Sequence, residues 1–258
     1  MTALCIAAAQ TCAIAGDLAA NIARHLQFMD RAAHHGVQCL LFPELSLTGY
    51  EPTLAAALAQ PAATPLLQPL RDRARTLGMT TVVGLPLRES TQTEVRIGAL
   101  VLHANGDQTV YTKQHLHGGE EVFFAAGIGG APLHLGGEHI ALAVCADFTR
   151  PEHARLAREA GATVYAASVL IGEAGYPADS HILQGYARTH GMAVLLANHG
   201  GPTGGWQAAG RSALWDAQGR LVVAVNGAGE QLLVARRTGE GWQARVEGLV
   251  AEGGADAA

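Results

Sequence analysis

The stretch 139-HIALAVCADFTRPEHARLAREAGATV-164 decides how the chain is read. Ile140, Leu142 and Val144 alternate with small residues, the period of a buried strand. Thr149 stands three residues before Glu152, and Pro151 falls in the first turn that follows, a pattern that predicts a capping box and a helix over 150–160. Cys145 therefore occupies a strand-to-helix turn. Such a turn can hold a side chain up for chemistry, and it can equally bury a small apolar one. The segment alone leaves both readings open.

Outward from this unit the same alternation continues. Residues 4–10, 37–44, 79–89, 94–106 and 108–113 read as strands, and 17–36 and 64–78 as helices, the second despite Pro69. A Gly- and Glu-rich loop runs from His115 to Gly130. Beyond Cys145 come a strand at 162–168, a helix at 177–191 and a strand at 192–200. Strand patterns then follow in 207-QAAGRSALWD-216, 219-GRLVVAV-225 and 230-EQLLVARR-237. No linker, repeat or low-complexity run divides the chain. The expectation is one layered α/β domain over 1–258, with 249–258 as a frayed tail.

Composition narrows the function classes. The net charge of −5 gives no electrostatic footprint for nucleic acid. No apolar run is long enough to span a bilayer, and the apolar N-terminus lacks the basic leader of a secretory signal, Arg24 being its first basic residue. Four scattered cysteines fit a reducing, cytoplasmic setting better than a disulfide framework. The twelve histidines show no metal-type spacing; His34–His35 and the His115/His117 pair would need further ligands, so no metal is expected. The glycines of 127-GIGG-130 and 200-GGPTGG-205 lack the strand–loop–helix context of a nucleotide site, and no organic cofactor is expected either. Of 17 basic residues, Lys113 is the single lysine. A compact ammonium of tunable proton affinity is the one thing arginine cannot imitate.

Glu44, Lys113 and Cys145 each close a predicted strand, where ligands gather in open α/β sheets. A carboxylate directly after an apolar run is costly to bury unless paired. Taken together the three make chemical sense. A carboxylate accepts the thiol proton as sulfur attacks, and an ammonium stabilises the oxyanion that forms. The backbone N–H of Ala146 is the expected second oxyanion donor.

Three segments in this order, 40-LLFPELSLTGY-50, 110-VYTKQHLHGGEEVFFAAG-127 and 140–164, with a weaker fourth at 210-GRSALWDAQGRLV-222, resemble the nitrilase superfamily of carbon–nitrogen hydrolases. The resemblance implies a four-layer α-β-β-α sandwich of two mixed sheets flanked by helices. It implies Glu44 as general base, Lys113 as oxyanion stabiliser and Cys145 as the nucleophile that forms a thioester. A further catalytic glutamate belongs to the loop after the lysine; Glu120 matches it best and Glu121 is the runner-up. Tyr50, His117 and Val169, the last within 167-ASVLIGEAGY-176, are the candidate substrate contacts. A small-molecule substrate and a homodimer or higher homo-oligomer are further implications. Ala146 is small where nitrile-cleaving members carry tryptophan, which favours an amide or carbamoyl substrate over a nitrile. The family's "RFPE" stands here as 149-TRPE-152, and "RAIEN" is replaced by 186-YARTHG-191. Acyl transfer by the same trio, and a ligand-binding member without catalysis, are the alternative readings.

Overall fold

The computed structural model describes residues 3–89 and 91–249. Its strands are β1 (Cys5–Gln10), β2 (Cys39–Leu41), β3 (Thr80–Leu87), β4 (Arg96–Leu102), β5 (Gln108–Thr112), β6 (Leu133–Leu135), β7 (Glu138–Val144), β8 (Val164–Val169), β9 (Ala193–Asn198), β10 (Ala213–Trp215), β11 (Leu221–Ala224), β12 (Gln231–Thr238) and β13 (Gly241–Gly248). The helices are α1 (Leu18–His34), α2 (Ala55–Leu58), α3 (Gln68–Leu77), α4 (Pro151–Glu159) and α5 (Tyr176–His190).

They form two sheets. The first runs β13-β12-β1-β2-β3-β4-β5 and the second β11-β10-β9-β8-β7-β6. Each has a parallel centre, β1–β2–β3 and β7–β8–β9, with antiparallel strands added at the flanks. Parallel strands need both faces covered, and the alternation of side chains shows what covers them. Ile6 and Ala8 of β1 join Leu142 and Val144 of β7 in the core between the sheets. Cys5, Ala7 and Ala9 point the other way, against Phe28 and Met29 of α1 and Leu70 of α3. On the far side, Ala143, Tyr165 and Val169 pack against Ala154 of α4 and Leu183 of α5. The layers are therefore α-β-β-α, as the resemblance implied. Among the described residues no helix is long and apolar enough to cross a membrane.

Several local expectations need correction. The predicted capping box at Thr149 does not form: Arg150 is the N-cap, with extended backbone at φ −101° and ψ 106°. A residue before proline is driven to that region, so Pro151 shifts the start of α4 and leaves the Thr149 hydroxyl to donate to Ala146 O, 2.8 Å away. The helix expected over 64–78 opens as a 3-10 turn, Pro65–Leu67, and Pro69 sits within the first turn of α3, where its missing N–H costs nothing. The strand expected over 207–216 shortens to β10, because Gly210 and Arg211 take left-handed backbone at φ 62° and 53°. β13 was not foreseen. It is an edge strand of mixed, partly exposed residues, so it carries no clean hydrophobic alternation. Of the expected tail, 250–258 lie outside the described residues.

Candidate active site

β2 gives way at Phe42, whose ring stacks on His25 with centroids 3.9 Å apart and meets Phe28 edge-on. The chain then turns sharply, with Leu45 at φ 51°. Gly84 of β3 makes room for that turn: a Cβ there would stand 2.4 Å from Leu45 N and 2.8 Å from Pro43 O. The Leu47 N–H donates to Gly84 O at 2.9 Å. This seats Glu44 with only 1 % of its surface exposed. Its carbonyl accepts a hydrogen bond from His199 Nε2 at 2.7 Å. Burial lowers His199 to about 4, so the ring is neutral and donates through Nε2. Across the sheets, Ser168 Oγ of β8 donates to Phe42 O at 2.7 Å and fixes the same turn.

Lys113 follows β5 and is wholly buried. Its N–H donates to Ile97 O at 2.9 Å and its carbonyl accepts from Gly127 N at 2.7 Å. The side chain is the hub of the site. Nζ donates to Glu44 Oε1 at 2.7 Å and to Glu120 Oε1 at 2.8 Å. Glu120 Oε1 also accepts from Tyr50 OH at 2.7 Å, and its Oε2 from the His117 N–H at 2.8 Å. Burial works to strip the Lys113 proton, but the carboxylates of Glu44 and Glu120 outweigh it and hold its pKa above the usual lysine range. Burial likewise drives the Glu44 carboxyl up to about 7 against the opposing pull of Lys113.

Cys145 opens a short 3-10 turn, Cys145–Thr149, and takes φ 45°. Left-handed backbone costs a non-glycine residue about 1–2 kcal/mol, and the turn lifts the side chain out of the β7 register. Cys145 is partly exposed, and its thiol donates weakly to Leu170 O at 3.6 Å. Burial and then the Glu44 carboxylate push the thiol pKa up, with Lys113 acting in the opposite sense, so the sulfur rests protonated. The remaining Glu44 oxygen, Oε2, is buried without a partner at ordinary hydrogen-bond distance. The Cys145 thiol nearby acts to lower the Glu44 pKa.

Asp147 was not singled out in the sequence, yet it binds the two halves of the site together. Its Oδ1 accepts from the backbone N–H of Gln114 and His115, at 2.9 and 2.8 Å, just past Lys113. Its Oδ2 accepts from Tyr111 OH at 2.7 Å and from the Val144 N–H at 3.0 Å, just before Cys145. The visible signal was an acidic residue within the apolar run 144-VCADF-148, which demands internal partners. Asp147→Asn puts an amide NH2 where one oxygen accepts. It is expected to cost about 1–3 kcal/mol of stability, read from urea denaturation against the unaltered chain.

These groups open onto a cavity of about 240 Å³. Glu44, Tyr50, His117, Glu120, Cys145 and Ala146 line it, and Lys113 lies directly beneath, bonded to both glutamates. The N–H of Ala146 belongs to the first turn of the 3-10 segment, where no intrahelical acceptor serves it. Glu121 is exposed and accepts from the Gly119 N–H at 2.8 Å, away from Lys113. Val169 does not line the cavity: its place in β8 turns it toward α5, and the next residues, Leu170 and Ile171, form the wall instead. Trp206 stands 47 % exposed on the cavity rim. His115 is turned to Asp147 and is not on the wall.

A sequence profile described as carbon–nitrogen hydrolase matches residues 5–245. Solved structures of the amidase from Nesterenkonia sp. AN1 are similar throughout. One, in complex with butyramide, has 29 % identity and a TM-score of 0.82 over 91 % of both chains. Another, with 29 % identity and a TM-score of 0.81, covers 91 % of this chain and 90 % of that one; it shows covalent addition of the acetamide moiety of fluoroacetamide at the active-site cysteine. A third, described as an amidase from the nitrilase superfamily, has 30 % identity and a TM-score of 0.81 over the same shares.

Proposed function

We propose that this chain, which belongs to the carbon–nitrogen hydrolase family of the nitrilase superfamily, hydrolyses a small amide through a thioester on Cys145. The observation that carries the reading is the buried ammonium of Lys113 held between Glu44 and Glu120 beneath a cavity whose wall includes Cys145.

A neutral thiol needs a base at the moment of attack. Glu44 takes the Cys145 proton as sulfur bonds to the amide carbon. The carbonyl oxygen gains negative charge between Lys113 Nζ and the Ala146 N–H, a pair of donors that need not reorganise; each such donor is worth about 3–4 kcal/mol in other enzymes. Glu44 then returns the proton to the leaving nitrogen, the C–N bond breaks, and ammonia departs. Water attacks the thioester next, giving its proton to Glu44. The carboxylic acid leaves and the thiol is restored. Glu120 positions: it shares Lys113 with Glu44 and is itself held by Tyr50 and the His117 N–H. The small side chain of Ala146 and the limited volume both suit a short aliphatic acyl group.

Release of ammonia from butyramide and acetamide tests the reading, and no turnover of either would end it. A pH dependence follows as well. Only ionised Glu44 accepts the thiol proton, and its carboxyl stands at about 7 because it is buried. The kcat/KM should fall about tenfold per pH unit below that point and level off above it, measured by ammonia release across the range. A plateau persisting well into acid would assign the base elsewhere.

A further inference from the structure

Beyond the reacting groups, the cavity has a second polar feature. Asp179, in the first turn of α5, lines the wall. Its carboxyl is partly buried, burial pushes its pKa up, and the neighbouring His117 opposes that shift. The walls around it are largely apolar: Ala146, Phe148, Leu170, Ile171 and Trp206. Among the described residues no lysine or arginine lines the cavity, whereas three carboxyl groups, Glu44, Glu120 and Asp179, do. The only nearby ammonium, Lys113, is already shared between the first two. Asp179 thus stands in the wall without a fixed counter-charge, a costly arrangement for a partly desolvated carboxylate. On the rim of the same cavity is the indole of Trp206, packed edge-on to His117 with centroids 6.1 Å apart. A carboxylate and an indole are the two side chains that best receive an organic cation.

We propose that Asp179 is a specificity-determining residue, and that with Trp206 it selects amides whose far end carries a primary ammonium. The inference deepens the amidase reading and rests on it. An ammonium on the acyl chain meets Asp179 in place of water, while a terminal carboxylate meets only like charge. The same face that admits ω-amino amides therefore turns away ω-amido acids.

The test compares 4-aminobutyramide with pentanamide, which replaces the ammonium by a methyl group at the same chain length. The expected kcat/KM ratio favours 4-aminobutyramide by about tenfold or more, and Asp179→Asn reduces that ratio by about the same factor. A ratio near one, or one that Asp179→Asn leaves in place, overturns the proposal. If neither amide is hydrolysed, the amidase reading fails by itself. Binding to Cys145→Ala, followed by calorimetry, then decides the matter. Tighter binding of 4-aminobutyramide that weakens when Asp179→Asn is added supports the role of Asp179, and equal binding of the two amides refutes it.

Discussion

Replacing Cys145 by alanine is expected to lower kcat for butyramide by about 10⁵-fold or more, the scale seen when a nucleophile is removed from a hydrolase that works through a covalent intermediate. No other cysteine can take over. Cys5 and Cys39 are buried, and burial drives Cys39 to about 12. Cys12 is partly exposed but does not line the cavity. The fold should survive the change. The thiol makes one weak hydrogen bond, and alanine keeps the backbone of a non-glycine residue at φ 45°. Its loss should alter stability by about 1 kcal/mol, the scale of one small buried group. The variant should still bind butyramide, and iodoacetamide should no longer react within the cavity. Ammonia release, thermal unfolding and mass spectrometry after labelling check the three expectations. Residual activity above about one part in a hundred, beyond what binding and oxyanion donors supply, would move the chemistry away from Cys145.

The residues that meet at this site were legible because burial of charge leaves few alternatives. A glutamate after the apolar run 40-LLFP-43, and one lysine among arginines, each asked for a partner. The strand pattern put both at sheet ends, and each proved to be the other's partner. Glu120 over Glu121 was a closer matter. Residues adjacent in a loop differ only in which way a 3-10 turn faces them, and that is set by packing against Tyr50 and Lys113. Val169 failed as a wall residue for a related reason. The strand period says which residues share a face, but not which face looks into the cavity. Asp147 escaped notice because its partners are mostly backbone N–H groups, which leave no mark in a sequence. β13 was missed because an exposed edge strand needs no apolar face.

Lys113→Met should damage both stability and activity, and its pH dependence separates the two. Removing one member of a buried ionic cluster leaves the others uncompensated, at a cost of about 3–5 kcal/mol. Glu44 sets the sign. Its carboxyl stands at about 7 through burial even with Lys113 opposing, and loss of the ammonium raises it further. A carboxyl whose folded pKa exceeds its unfolded value of about 4.3 binds more protons folded than unfolded, so stability falls as pH rises between the two. The deficit of Lys113→Met should therefore be smaller near pH 5, where Glu44 is protonated in both folded chains, and should grow as pH rises through 7 and above, where only the chain with the ammonium holds Glu44 ionised. Lys113 adds no slope in this window, because its own pKa is raised and its stabilising charge is lost only in strong alkali. Urea midpoints of the two chains at acid and alkaline pH measure the difference; equal deficits at both would contradict an ionic hub. Activity should fall by about 10²–10³-fold as an oxyanion donor disappears, and acid should not restore it, since protonated Glu44 rescues the fold and disables the base. Lys113→Arg should not rescue either property. The guanidinium is a planar fork, too broad for a wholly buried slot that aims one Nζ at two carboxylates 2.7 and 2.8 Å away. That geometry accounts for a lone lysine in a chain that otherwise uses arginine for positive charge.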